Sequence, residues 1–324
     1  MYGTEVQIGI GFQNSWDTAP SQAGSFYPVP MLSESIALDR PPLELANMQG
    51  VYDDITPKEG PHTIGDTLEC EVHPLALGVL LRAAVGDPTS TKANSADVYD
   101  HVFVPGTSDF DKFAALTPHA ISKRWNDGGS ADLFYNMQGA SLALNIANGE
   151  LLKASFSVMG GAYSQSNVGS SAYPDVARAW TWDQTSVSVA AAGISELRSA
   201  SIVLDNALET FHLLDGGKDP GRIKRNAKRT LKVSGSMMFD TRSEYQAFKS
   251  KSERNLKLTF TGDTISSGYT DKLVVECPRF QYEEFKPVTG GAGQIEVSFS
   301  GRGNYDAGSG HSVKYTLTNT KAAY

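Results

Sequence analysis

The sequence predicts a mainly β protein built as two tandem β-sandwich or half-barrel units, each with one flanking α-helix. Three observations carry that expectation. Apolar and polar residues alternate with period two through most of the chain, the pattern of strands with one dry and one wet face. Only two stretches carry helical spacing. And one stretch, LLKASFSVMGG at 151–161, has an echo in QIEVSFSGRGN at 294–304. Setting Ser155-Phe156-Ser157 over Ser298-Phe299-Ser300 also sets Leu152 over Ile295 and Ala154 over Val297.

In chain order, MYGTEVQIGIGF alternates through Val6, Ile8, Ile10 and Phe12 and reads as a strand. It has no basic leader region, so the expectation is no signal peptide and synthesis in a cytosol. SIALD at 35–39 recurs as SIVLD at 201–205, each followed by a polar stretch containing Pro and Gly. The strands DTLECEV at 66–72 and RTLKVSGSM at 229–237 come next. A helix follows in both places. In the first, Pro74 suits an early position, Leu77, Leu80, Leu81 and Ala84 form one stripe, and Gly86 ends it. In the second, Thr241 and Glu244 form a capping box, with Tyr245 and Phe248 one turn apart. HVFV at 101–104 and LKLTF at 256–260 then read as matching strands, followed by SLALNI at 141–146 and KLVVE at 272–276 and by the opening pair.

The spacing between matched segments falls from 166 at SIALD to 163 at the Thr-Leu pairs and 143 at Ser-Phe-Ser. The first copy thus carries about twenty extra residues, assigned to surface loops at 88–98 and 107–130. The expected units are 1–165 and 166–324, with a Gly/Ser-rich joint at 164–174.

Composition narrows the function. A chain of 324 residues exceeds one ordinary core, which suits two domains. No apolar run approaches the ~18 residues that span a bilayer. Cys70 and Cys277 stand singly in strand-like segments, as packed thiols do. The net charge is −8, but residues 1–165 hold 8 Lys/Arg against 19 Asp/Glu while 166–324 hold 20 against 17. An acidic whole argues against tight binding to a nucleic-acid backbone.

Three segments, GIGFQNSWDTAP, YNMQGASLALNIANGELLKASFSVMGG and YPDVARAWTWDQTSV, together with the element order, resemble the tail tube proteins of tailed bacteriophages. The likeness covers nearly the whole chain. It implies a β-sandwich that assembles into rings whose inner sheets join as one barrel around a channel for DNA. Some members carry two fused units and form trimers with pseudo-sixfold symmetry, which the repeat here matches; a hexamer is the fallback. The resemblance further implies rings stacked helically, with a tail terminator, tape measure and distal tail proteins as partners. DNA would pass without specific binding, in a virion tail made in the host bacterial cytoplasm, with no membrane and no cofactor. Four wall strands per unit give about 24 for three chains, hence a circle of roughly 46–48 Å, ample for a duplex of roughly 20 Å.

On that basis the wet-face residues Lys153, Ser155, Ser157, Glu296, Ser298 and Ser300 are candidates to line the channel, although an ordinary solvent-facing strand explains them equally. The segment 218–229 is strongly basic, with Lys218, Arg222, Lys224, Arg225, Lys228 and Arg229. The matching loop of the first copy holds Asp39, Glu44, Asp53, Asp54 and Glu59 against Arg40 and Lys58. These loops are expected to extend along the tube axis and meet between stacked rings or neighbouring units, the alternative being two solvated loops of accidental bias.

No catalytic, cofactor or metal site is expected. Six histidines (62, 73, 101, 119, 212, 311) lack ligand spacing. The adjacent carboxylates Asp53-Asp54 and Glu283-Glu284 would point apart on a strand, and GRGNYDAGSG at 301–310 has no following helix to make a phosphate loop. The competing function is a carbohydrate-binding or other phage adhesion or baseplate module, with Trp16, Trp125, Trp180 and Trp182 as its platform.

Overall fold

A computed structural model describes residues 6–18, 20, 26–46, 53, 56–93, 97–107, 116–125, 130–166, 173, 178–190, 192–194, 196–240, 242–266, 268–287 and 293–324. The first half contains β1 (Gln7–Phe12), β2 (Phe26–Pro28), β3 (Ser33–Glu34), β4 (Ala37–Asp39), β5 (Pro42–Leu43), β6 (Lys58–Glu59), β7 (Thr63–Glu71), α1 (Pro74–Val85), β8 (Thr89–Lys92) and β9 (Tyr99–Phe103). It continues with β10 (His119–Arg124), β11 (Ala131–Ala147), β12 (Lys153–Gly160) and β13 (Ala162–Ser166). The second half contains β14 (Thr185–Val189), β15 (Ala192–Gly193), β16 (Leu197–Asp205), β17 (Leu208–Phe211), β18 (Arg222–Arg225), β19 (Thr230–Met238) and α2 (Ser243–Lys249). It ends with β20 (Arg254–Ser266), β21 (Tyr269–Pro287), β22 (Glu296–Asn304) and β23 (Lys314–Asn319). The fold is mainly β, as the alternation predicts.

Eight strands form one continuous antiparallel run in the order β4, β7, β12, β11, β16, β19, β22, β21. The seam between the halves is β11–β16, from Ser141 opposite Asp205 to Ala147 opposite Ser199. The long strands β11 and β21 each belong to two layers. Their C-terminal parts lie in the eight-strand run, while their N-terminal parts pair with β10 and β13, or with β20 and β23. The dry face of the run is closed by the second layer and the helices, which is where Leu68, Leu142, Phe156, Ile202, Leu204, Phe285 and Phe299 are buried.

The same ladders occur twice. Against β12, β11 slips register between Gly139 and Ser141; against β22, β21 slips between Tyr282 and Glu284, in both cases 143 residues later. On the opposite edge His119 faces Met137 and Ile121 faces Phe134, while Arg254 faces Phe280 and Leu256 faces Cys277. These bulged positions are again 143 apart on the long strand. Bulges turn a strand and sharpen its twist, so each one sits where a long strand passes from one layer to the other.

Two expected matches are corrected by the register. HVFV belongs to β9, which pairs with β8 and with β23 of the second half, whereas the strand in the place of β20 is β10. Alternation identifies a strand but not its sheet, and β8–β9 is a local hairpin that adds to a remote edge. Likewise Leu38 faces Ile64 and Leu204 faces Leu231, so Ile64, not Leu68, corresponds to Leu231. The Thr-Leu echo is therefore out of step with the ladders.

Helix α1 starts at Pro74, buries Leu77, Leu80, Leu81 and Ala84, and ends at Gly86, whose φ of 122° excludes most other residues. It lies so close to the sheet that a Cβ on Gly139 would stand 2.7 Å from the Ala83 carbonyl oxygen. Helix α2 is shorter. Thr241 of the expected capping box lies outside the described residues. Glu244 instead accepts bonds from Arg254 Nη1 and the Tyr282 hydroxyl, both at 2.9 Å.

Burial also sets a pH response. His119 is wholly buried beside Phe12 and Phe156, and desolvation pulls its imidazole from 6.5 down to about 4. A depressed folded-state value means the stabilisation is complete above 6.5 and is lost as pH falls towards 4. Melting temperature is therefore expected to drop across that window, and to drop less in His119→Leu, as scanning calorimetry at several pH values would read.

Candidate assembly interface

The wet face of the eight-strand run carries mostly short polar side chains. Lys153, Ser155 and Ser157 on β12 stand on the same face as Glu296, Ser298 and Ser300 on β22, because even-spaced residues share a side and both strands belong to one sheet. Ser141, Ala143 and Asn145 on β11 and Ser199, Ser201 and Val203 on β16 fill the space between. Short hydroxyls bond each other across strands, Thr67 to Ser157 at 3.0 Å and Ser199 to Ser236 at 3.0 Å. Some charged side chains are matched locally: Lys153 with Glu150 at 2.9 Å, Arg198 with Glu296 at 3.6 Å, Arg302 with Glu283 at 3.5 Å. Such a face is polar and rich in short hydroxyls.

The long polar loops form hairpins. β5 pairs with β6, and β17 with β18. Of the acidic loop, Asp39, Arg40, Glu44, Asp53, Lys58 and Glu59 are exposed, and Asp54 lies outside the described residues. In the basic loop Lys218, Arg222 and Lys228 are exposed, Lys224 and Arg225 half-buried. The two loops meet within one chain. Lys218 pairs with Glu59, Arg40 approaches Glu59 at 3.7 Å, and His62 places one ring nitrogen 2.9 Å from Glu59 and the other 2.9 Å from Asp219. Lys218 foremost, then His62, hold the Glu59 carboxyl at about 2. Exposed apolar side chains crowd the same hairpins: Leu43 and Leu45 on one, Phe211, Leu213 and Leu214 on the other. Exposed clusters of that kind mark contact surfaces.

Arg229 has a different place from the other basic residues. Its Nε donates to Asn206 Oδ1 at 3.0 Å and its Nη2 to the Gly106 carbonyl at 2.9 Å. Asn206 in turn donates to the carbonyls of Ala84 and Gly139 at 2.7 and 2.9 Å. This buried knot joins α1, β11 and the second half beside the seam. Its only sequence signal is an Asn directly after SIVLD.

The remaining candidates separate. Among the described residues there is no cluster of three His, Cys, Asp or Glu side chains that could hold a metal ion. Cys70 and Cys277 are buried free thiols, pushed up to about 12 by desolvation. Glu283 and Glu284 are both exposed, because the bulge between Tyr282 and Glu284 breaks the alternation that would have pointed them apart. After β22 the glycine-rich turn folds onto its own Asp306, which accepts the Ser309 N–H at 2.8 Å, so a carboxylate occupies the donors a phosphate would need. The tryptophans sit in different settings: Trp16 is half-buried, Trp180 is buried against Phe260, Trp125 donates to Asp132 beneath Lys123, and Trp182 lies 48% exposed in a short turn.

A family model described as phage tail tube protein matches residues 3–303. The chain belongs to that family. It is thus a structural protein of the phage tail tube and a component of the virion tail. No curated protein matches the chain. The tail tube protein has no helix, among its described residues, long and apolar enough to cross a membrane.

Proposed function

We propose that three copies of the tail tube protein close into a ring of six quasi-equivalent units, 1–165 and 166–324 in each chain, and that these rings stack helically into a conduit for DNA. The observation that carries this is the eight-strand run with its twice-occurring ladders. Three such runs make about 24 strands, and at ~4.8 Å spacing and ~40° tilt they close on a circle roughly 48 Å across. The hydroxyl-rich face, with Lys153, Ser155, Ser157, Glu296, Ser298 and Ser300, lines the channel. It offers no net positive field to hold a polyanion, so DNA slides past without specific binding.

Stacking is assigned to the paired hairpins, where Leu43, Leu45, Leu213 and Leu214 supply apolar contact beside Glu44, Asp53, Arg222, Lys224, Arg225 and Lys228. The linked side chains of Glu59, His62, Lys218 and Asp219 hold the two hairpins in a fixed relative position for that contact. The tube ends meet a tail terminator and distal tail proteins, a tape measure protein occupies the bore before ejection, and the chain is made in the host cytoplasm. Mass measurement of isolated rings tests the stoichiometry: three chains of 34.8 kDa are expected, and a six-chain ring would overturn it. Negative-stain images of hollow tubes test the architecture.

The loops have their own test. Reversing Arg222 and Lys228 to Glu is expected to leave the chain folded and to shorten tubes. Each exposed contact is worth ~0–1 kcal/mol, but it repeats at every subunit of every ring. High salt should shorten wild-type tubes in the same direction, since exposed charges are screened over about 8 Å at physiological ionic strength. Variant tubes of normal length at low salt would remove the charges from the stacking contact.

A further inference from the structure

The eight-strand run has two open edges. Among the described residues, β3 and β4 pair on one side only, with β7, and residues 284–287 of β21 pair on one side only, with β22. An unpaired edge presents a row of backbone donors and acceptors that natural proteins cover or blunt. One sheet seam of known register already exists inside the chain, between β11 and β16. Its two strands have counterparts at those open edges. The bulges place β11 on β21 with a spacing of 143, and the ladders to β7 and β19, together with SIALD and SIVLD, place β4 on β16 with a spacing of 166.

We infer that residues 284–287 of β21 pair antiparallel with residues 36–39 of a second copy of this chain, Glu284 opposite Asp39, Phe285 opposite Leu38, Lys286 opposite Ala37 and Pro287 opposite Ile36. The inference rests on the ring described above and supplies its seam. Translating Ser141 opposite Asp205 and Leu142 opposite Leu204 by the two spacings gives this register directly.

Burial supports it independently. Leu204 and Leu142, facing each other across the internal seam, are both buried. Phe285 is buried, whereas its proposed partner Leu38 is only half-buried in the single chain. A neighbouring strand is what Leu204 has and Leu38 lacks. A shift of one residue would set Phe285 against exposed Ala37 or Asp39 and turn the dry face of one strand onto the wet face of the other. On the wet face, Asp39 and Glu284 stand opposite each other, and Lys286, 3.1 Å from Glu284, lies diagonal to Asp39 within reach of its long side chain. Pro287 has no N–H, so the new ladder forgoes one donor there, which an edge strand tolerates.

Paired cysteines read the register. Directly opposed residues in an antiparallel pair have Cα atoms about 4.5–5.5 Å apart, inside the range a disulfide spans. Asp39→Cys with Glu284→Cys removes the like-charged pair and should give, on mild oxidation of assembled rings, a covalent trimer on a non-reducing gel. The shifted pair Ala37→Cys with Glu284→Cys should crosslink at least tenfold less. Both native thiols are buried, which keeps the background low. Rings of three chains that crosslink through the shifted pair, or through neither, would overturn the register while leaving the ring intact. Unmodified chains that stay single by mass would overturn the ring itself.

Discussion

Phe156→Ala is expected to cost about 3–5 kcal/mol, most or all of the stability of an ordinary domain. The ring is fully buried against His119, with its edge 2.8 Å from where a Cβ on Gly139 would stand. The chain around it cannot collapse to fill the hole, because the β11 and β7 ladders fix both neighbouring strands. Phe299→Ala should fall in the same range. Phe299 packs against Tyr282 at 5.7 Å and over Gly235, where a Cβ would stand 3.1 Å from its ring. Chemical denaturation of each variant gives the numbers. A cost under about 1 kcal/mol at either site would mean that the second layer does not close over it.

The second large effect is expected at Asn206. Asn206→Leu keeps the branching at Cγ but strands the carbonyls of Ala84 and Gly139 and takes an acceptor from Arg229. Each buried group left unmet costs roughly 1–3 kcal/mol, and one partner is charged, so a loss of about 3–5 kcal/mol follows. Asn206→Asp separates the contributions. It restores an acceptor to Arg229 but can donate to neither carbonyl while ionised, and it should recover only part of the loss. Hydrogen exchange should report where the loss lies, with amides along β11–β16 exposed first.

Much of the fold was legible because its signals are local. Alternation marked β1, β7, β12, β19 and β22, and the stripe through Leu77, Leu80, Leu81 and Ala84 with Gly86 marked α1. The Ser-Phe-Ser echo put Phe156 and Phe299 on dry faces, where both are buried. Less of the candidate interface was legible. Charge bias singled out the two loops, but not that Lys218 and Glu59 would pair inside one chain, since that contact joins residues 159 apart in sequence. Arg229 looked like one more basic loop residue until Asn206 and Gly106 claimed it. Bulges are invisible to a period-two reading for the same reason: one extra residue shifts the phase without altering composition.

The β8–β9 hairpin has a consequence in time as well as in space. It forms early in the chain, yet its sheet neighbour β23 begins at Lys314, with Tyr315 opposite Phe103. A ribosome adding roughly 5–20 residues per second needs on the order of 10–40 s to make the intervening chain. During that interval β9 waits with one edge unpaired, next to a helix whose Pro74 carbonyl later receives the Asn319 amide at 2.9 Å. Long-range closures of this kind slow folding steeply. The sheet that holds β9 is therefore expected to close only once the strand from Lys314 to Asn319 has emerged, late in synthesis.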